Sequence, residues 1–197
     1  MLEVTVSGSV VVSGGLNAGK TRLTAETLRR YAEYKYKYEY DKTVVLLDFA
    51  PEFVRDGDLV GGHVSRFVEV PETVSTYVLE ANAPRLEADT EEETLELARD
   101  NYERGISLID SAPDSPDAVF VNDATIPFQY TGSDPETLTR YCSRADDSLL
   151  NFYDTEADSE RESDGLPSSS SQTDVVDLNE RRTVEWFRDW SDTEIRL

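Results

Sequence analysis

Residues 10–24 read V-V-V-S-G-G-L-N-A-G-K-T-R-L-T, and this stretch decides the fold. Three valines run into a glycine-rich turn, and a helical pattern leaves it. Within the turn, Gly14, Gly19, Lys20 and Thr21 satisfy the spacing G-x-x-x-x-G-K-[ST] of a phosphate-binding loop. Such a loop wraps an anion with its N–H groups pointing inward, and glycines supply the backbone angles and the close approach that this needs. A helix beginning near Gly19 offers its unpaired N–H groups and its positive dipole end to the same anion.

The spacing assigns roles. Lys20 reaches the β- and γ-phosphates of a nucleotide, and the Thr21 hydroxyl ligates Mg2+. Gly14, Gly15, Leu16, Asn17, Ala18 and Gly19 form the wall of the loop, with Arg22 at its end. With a strand before it and a helix after it, this stretch resembles the P-loop NTPase superfamily. The resemblance names a binding mode and implies ATP or GTP, with Mg2+, as the ligand.

Outward from the loop, strands and helices alternate. The first strand spans 9–13. A helix over 19–36 follows, with Leu23, Thr27, Leu28 and Tyr31 at helical spacing. The runs T-V-V-L-L-D (43–48) and A-V-F-V-N-D (118–123) are continuous and apolar, as in parallel strands buried on both faces, and each ends in an acid. Residues 64–70 alternate and read as another strand. Pro71 opens a helix to about Ala81. A longer helix covers 90–109, with a capping box at Thr90 and Glu93. A short helix starts at 134–136, and 148–153 reads as the last strand. This pattern predicts a three-layer α/β/α domain with a mainly parallel sheet of about five strands.

In such sheets ligands sit beyond the carboxyl ends of the strands. That rule selects Asp48, Glu52 and Asp123. Asp123 is the expected Mg2+ acid, since A-V-F-V-N-D has the form of a Walker B strand. Asp48 then faces a substrate or an attacking water, with Glu52 as the nearby second carboxylate, and the roles of Asp48 and Asp123 are interchangeable on sequence alone. His63, the only histidine, sits at the end of a glycine-containing loop over 56–62, with no cysteine or second histidine near it to build a metal site.

Three regions complete the chain. Residues 1–153 read as the nucleotide-binding domain. Residues 154–174 are acidic and serine-rich, a composition that does not bury enough apolar surface to fold. Residues 175–197 carry a helix over 179–190 with Val184, Trp186, Phe187 and Trp190, which is expected to dock back on the domain. The tyrosines at 31, 34, 36, 38 and 40 read as a helix end covering the edge of the core.

With 41 acidic and 19 basic residues the formal net charge is −22, and Lys20, Lys35, Lys37 and Lys42 are the only lysines. This acidic, lysine-poor surface is similar to that of proteins from salt-loving archaea, where salt screens self-repulsion. Nucleic acid is disfavoured as a partner, because its phosphates would meet like charge. No apolar run of about 18 residues is present, so a membrane is not an expected partner. Cys142 is the sole cysteine, which excludes internal disulfides and fits a cytoplasmic protein. Export is not expected from residues 1–4, and a homo-oligomer through the tyrosines or tryptophans stays open.

Within the superfamily, the element order is most similar to that of the ATP:corrinoid adenosyltransferases. The similarity lies in a phosphate loop near the start, a long acid-capped helix, and a strand ending in Asp123 that leads to Gln129, Tyr130 and Gly132. It implies transfer from ATP to a small-molecule acceptor. That family has an Asp-Glu pair where this chain has Asp123-Ala124. The missing glutamate points away from a motor-type ATPase, which needs that carboxylate to orient water. Group transfer, slow hydrolysis and a non-catalytic binding module remain. So does a small-molecule kinase, in which Arg66, Arg85, Arg99 or Arg104 stabilises phosphate charge.

Overall fold

A computed structural model describes residues 4–38, 42–55, 58–154 and 174–197. The valines after Gly8 form strand β1 (Gly8–Gly14), whose end is the start of the glycine-rich loop. Helix α1 (Lys20–Tyr38) follows, then β2 (Val44–Asp48). A two-stranded antiparallel ribbon, β3 (Glu52–Arg55) and β4 (Asp58–Gly61), leads through a 3-10 turn at Val64–Arg66 to β5 (Val74–Val78). Next come α2 (Pro84–Glu87), α3 (Glu91–Ser111), β6 (Ala118–Asn122), α4 (Glu136–Cys142) and β7 (Asp147–Tyr153). Helix α5 (Asp174–Trp190) and β8 (Thr193–Arg196) close the order.

The main sheet has six strands in the order β5-β2-β6-β7-β1-β8, all parallel. It is a three-layer α/β/α fold, because alternate residues of the central strands feed two separate cores. Val10, Val12, Val44, Leu46, Ala118, Phe120 and Leu149 face α1 through Leu23, Ala25, Leu28 and Ala32. Val11, Val45, Leu47, Val119, Val121, Leu150 and Phe152 face α3, α4 and α5 through Ile109, Leu138, Tyr141, Val184 and Phe187. The four central strands are therefore apolar on both faces, which accounts for their unbroken apolar runs.

The sheet, expected with about five strands, has six, with β8 adding to β1 beyond residues 148–153. Three element assignments are corrected. Residues 64–70 form a 3-10 turn and irregular chain instead of a strand. The helix expected from Pro71 to Ala81 is strand β5: V-S-T-Y-V is β-branched and aromatic, and it pairs along the edge of β2. The loop expected over 56–62 contains β4 of the ribbon, with residues 56–57 outside the described set.

Helix α3 begins with the capping box: the Thr90 hydroxyl accepts from the Glu93 N–H at 3.2 Å, and the Thr90 N–H donates to Glu93 at 3.2 Å. Helix α5 docks on the domain. Val184 and Phe187 enter the core, Trp186 donates to the Thr139 hydroxyl at 3.2 Å, and Trp190 donates to the Ser143 hydroxyl at 3.1 Å. Both tryptophans thus lie against α4. Tyr31 packs edge-on against Phe120 and donates to Asp147 at 2.6 Å, while Tyr34, Tyr36 and Tyr38 are exposed. The acidic segment lies outside the described residues from 155 to 173, as does Tyr40. No described helix is long and apolar enough to cross a membrane.

Candidate functional site

The loop after β1 bends through two left-handed residues, Asn17 (φ 57°) and Gly19 (φ 95°). Asn tolerates that region better than most side chains, and glycine adopts it without steric cost. A Cβ on Gly19 would meet nothing within 4 Å, so the mouth of the loop is open. A Cβ on Gly14 would lie 3.0 Å from the Leu197 carbonyl and 3.2 Å from Ala18, so the base of the loop is packed. The Leu23 N–H donates to the Gly19 carbonyl at 2.9 Å and starts the helical ladder. The N–H groups of the first turn before it have no acceptor within the helix.

Lys20 is buried and arches back over the loop. Its ammonium donates to the Gly15 carbonyl at 2.7 Å and lies 5.7 Å from the Tyr153 ring centroid. Thr21 is half-buried, Leu16 and Asn17 stand at the exposed rim, and Arg22 is drawn along the helix to Glu26 at 3.0 Å. Arg22 is thus paired away along the helix surface.

Asp123 follows β6 directly and holds a left-handed backbone (φ 52°), uncommon outside glycine. Its N–H donates to Asn151 Oδ1 at 3.0 Å. Loss of hydration pushes its carboxyl up to about 6; the charges of Asp48 and Glu180 push the same way, and Lys20 opposes them. Lys20, Asp48, Asp123 and Glu180 therefore share one electrostatic neighbourhood at the carboxyl edge of the sheet. No described group donates a hydrogen bond to the Asp123 carboxylate. A half-buried acid with no described donor on its carboxylate, within the field of two further acids, could hold a divalent cation despite the nearby ammonium of Lys20. Among the described residues no three His, Cys, Asp or Glu side chains form a metal cage. Mg2+ does not need one, since it is held by one or two protein groups together with phosphates and water.

Beneath these groups runs a buried polar chain. Asn151 on β7 donates to the Thr24 hydroxyl of α1 at 2.8 Å and to Asn122 Oδ1 on β6 at 2.8 Å. Asn122 donates in turn to Asp48 Oδ1 at 2.8 Å and to the Gly62 carbonyl at 3.1 Å. Asp48 Oδ2 accepts the Val64 N–H at 2.7 Å. Both Asp48 oxygens are thus occupied in clamping the 62–64 loop onto the ends of β2 and β6.

That loop carries His63. Its N–H donates to Glu52 Oε1 at 2.9 Å, its ring Nδ1 lies 3.4 Å from Asp48 Oδ1, and Nε2 lies 3.7 Å from Glu52 Oε2. Arg66 stands beside Glu52 at 4.0 Å and donates to the Gly61 carbonyl at 2.6 Å.

Of the other arginines with an expected phosphate role, Arg85 is held by Asp177 and Glu180, Arg99 by Glu103, and Arg104 by Asp100 and the Glu80 carbonyl. Only Arg66 joins the site. Glu180 is buried and bound by Arg85, by the Thr125 hydroxyl at 2.9 Å and by Gln129 at 3.3 Å. Sequence reading missed Asn122, Asn151 and Glu180. An asparagine ending the apolar run of β6 and another within that of β7 were the available signal, because a buried amide needs partners. No family model matches the chain, and no curated protein matches it.

Proposed function

We propose that the chain binds a nucleoside triphosphate, ATP or GTP, with Mg2+ at residues Gly14–Thr21 and uses it for group transfer to a small-molecule acceptor or for slow hydrolysis. One observation carries this reading. A G-x-x-x-x-G-K-T loop with an open mouth joins the end of a central parallel strand to a helix N-terminus, and the donor-poor Asp123 shares its electrostatic field with Lys20. Thr21 and Asp123 would hold the metal. When bound, Mg2+ would neutralise charge on the terminal phosphates.

Group transfer or slow turnover is favoured over rapid hydrolysis because Ala124 follows Asp123. The nearest further carboxylates are engaged: Glu180 by Arg85, Thr125 and Gln129, and Asp48 by Val64 and Asn122. Among the described residues, Glu52 keeps one oxygen beyond bonding range of His63, and it stands beyond the end of β2 rather than directly after Asp123. A cytoplasmic setting accords with the single, buried Cys142.

Calorimetric titration of MgATP and MgGTP into the full chain in molar salt tests the reading. One nucleotide per chain should bind, and chelating Mg2+ should weaken it. Absence of saturable binding for both would overturn the proposal.

A further inference from the structure

The Asp48–His63–Glu52 cluster is not absorbed by the nucleotide reading, yet it lies beside the nucleotide residues. Strand β2, which ends at Asp48, pairs directly with β6, which leads into Asp123. Neighbouring strands are about 4.8 Å apart. Strand β1 lies on the other side of β6, with β7 between them. A nucleotide running from the loop after β1 toward Asp123 therefore presents its terminal phosphate toward the end of β2. The next residues along the sheet edge are those of the cluster.

The chain spends several buried contacts on placing this histidine. Asn122, Asp48 and Glu52 hold the backbone at Gly62, Val64 and His63, three consecutive residues. The ring is left about one-fifth exposed, between two carboxylates. Its Nδ1 is enclosed and has no hydrogen-bond partner among the described residues, although Asp48 Oδ1 stands 3.4 Å away. Hydrogen bonds of this type are about 2.7–3.2 Å long, so a small ring movement closes the gap. Catalytic contacts are commonly long in this way until substrate binds. With the Nδ1 hydrogen toward Asp48, the lone pair of Nε2 remains available, since Glu52 at 3.7 Å is beyond bonding range.

Building on the nucleotide-site reading, we propose that this cluster is the acceptor side of the site, with His63 as the base for phosphoryl transfer to a hydroxyl-bearing small molecule. In the step, His63 Nε2 takes the proton of the acceptor hydroxyl as the oxygen forms a bond to the γ-phosphorus. The bond from that phosphorus to the β,γ-bridging oxygen breaks, and its electron pair leaves on the nucleoside diphosphate. The imidazolium so formed sits between the Asp48 and Glu52 carboxylates, and Asp48 acts as a positioning residue behind it. Charge narrows the acceptor class. Among the described residues, two carboxylates face the ring and Arg66 is the cation beside them, so the site suits a neutral or cationic alcohol and disfavours a polyanion.

The test uses the full chain in molar salt with MgATP and MgGTP. Transfer of labelled γ-phosphate is followed to a panel of sugars, polyols, nucleosides and amino alcohols, and to water. His63→Gln should leave nucleotide affinity within about twofold and lower transfer by a hundredfold or more, within the range of about 10²–10⁴ for a lost general base. Imidazole added to His63→Ala should restore part of the rate, which a merely structural role would not do. Unchanged transfer in both variants, or loss that imidazole does not restore, overturns the proposal. Wild-type protein that binds nucleotide but phosphorylates no panel member overturns it as well and leaves the nucleotide site standing. Loss of all nucleotide binding instead refutes the underlying reading.

Discussion

At the scale of single residues, the ammonium of Lys20 and the carboxylate of Asp123 make separable predictions. Lys20 folds onto the Gly15 carbonyl, which a terminal phosphate would replace as its partner. Lys20→Ala should weaken Mg-nucleotide binding at least tenfold, about 1.4 kcal/mol, with the fold intact by circular dichroism. Unchanged affinity for ATP and GTP would refute the site. For Asp123 the expected signature is in pH. Burial pushes its carboxyl up to about 6, above the usual carboxylate range, so the folded chain holds a proton that the unfolded chain releases. Its contribution to stability is complete below the unfolded value and is lost as pH rises through about 6. Metal binding has the opposite sign, because Mg2+ needs the carboxylate. Below about pH 6, Mg2+-dependent nucleotide affinity should fall in the wild type, while Asp123→Asn should have lost that dependence at every pH. Wild-type affinity that stays flat from pH 7.5 to 5 would remove Asp123 from the metal.

At the scale of elements, the attachment of α5 and β8 to β1 concentrates on Glu194. Its carboxylate accepts from Arg188 at 2.8 Å, from the Ser13 hydroxyl at 2.9 Å and from Arg196 at 3.0 Å. Burial works against its charge, but the bonds from Arg196, Arg188 and Ser13 outweigh it and hold its pKa at about 2. Since the folded value is depressed, this stability is present above the unfolded value near 4.5 and is lost as pH falls toward 2. Glu194→Gln should cost about 1–3 kcal/mol by urea denaturation at pH 7, and the cost should vanish near pH 2. An equal cost at both pH values would show that charge is not what holds the strand. The sequence hid β8 because T-E-I-R has one strongly apolar residue and pairs along one side only, so no apolar run marks it. Strand β5 was hidden for a related reason: as an edge strand with half-exposed residues, V-S-T-Y-V follows a proline that also opens helices. The central strands were legible because burial on both faces demands unbroken apolar residues. The strand–turn–helix around Gly14–Thr21 was legible because its pattern lies within eight consecutive positions between an apolar run and a helical one. The polar chain was not, since Asn122 and Asp48 are 74 residues apart and Asn151 and Thr24 are 127 apart. Pairing at such distances is set by strand order, which no local pattern encodes.

At the scale of the whole molecule, charge is the dominant feature, and salt acts on it with two opposed signs. Helix α3 shows the imbalance. Glu91, Glu92, Glu93, Glu96, Asp100, Glu103 and Asp110 are exposed on it, against Arg99 and Arg104. Both arginines are already paired within the helix, to Glu103 and Asp100. The same arrangement recurs at Arg22–Glu26, Arg29–Glu33 and Arg140–Glu136. Salt weakens these five pairs, but each is worth about 0.3–0.5 kcal/mol, so their combined loss is about 2.5 kcal/mol at most. Against it stands the repulsion of the net charge of −22, which screening relieves throughout the surface. The Debye length grows from about 3 Å at 1 M salt to about 30 Å at 0.01 M, a range that takes repulsion from neighbouring groups to the whole domain. The surplus should win. The melting temperature should fall on dilution from molar to millimolar KCl, and replacing Glu92 and Glu96 by Gln should flatten that dependence by removing two exposed charges from α3. A melting temperature that holds or rises at low salt would mean that the local ion pairs outweigh the surplus.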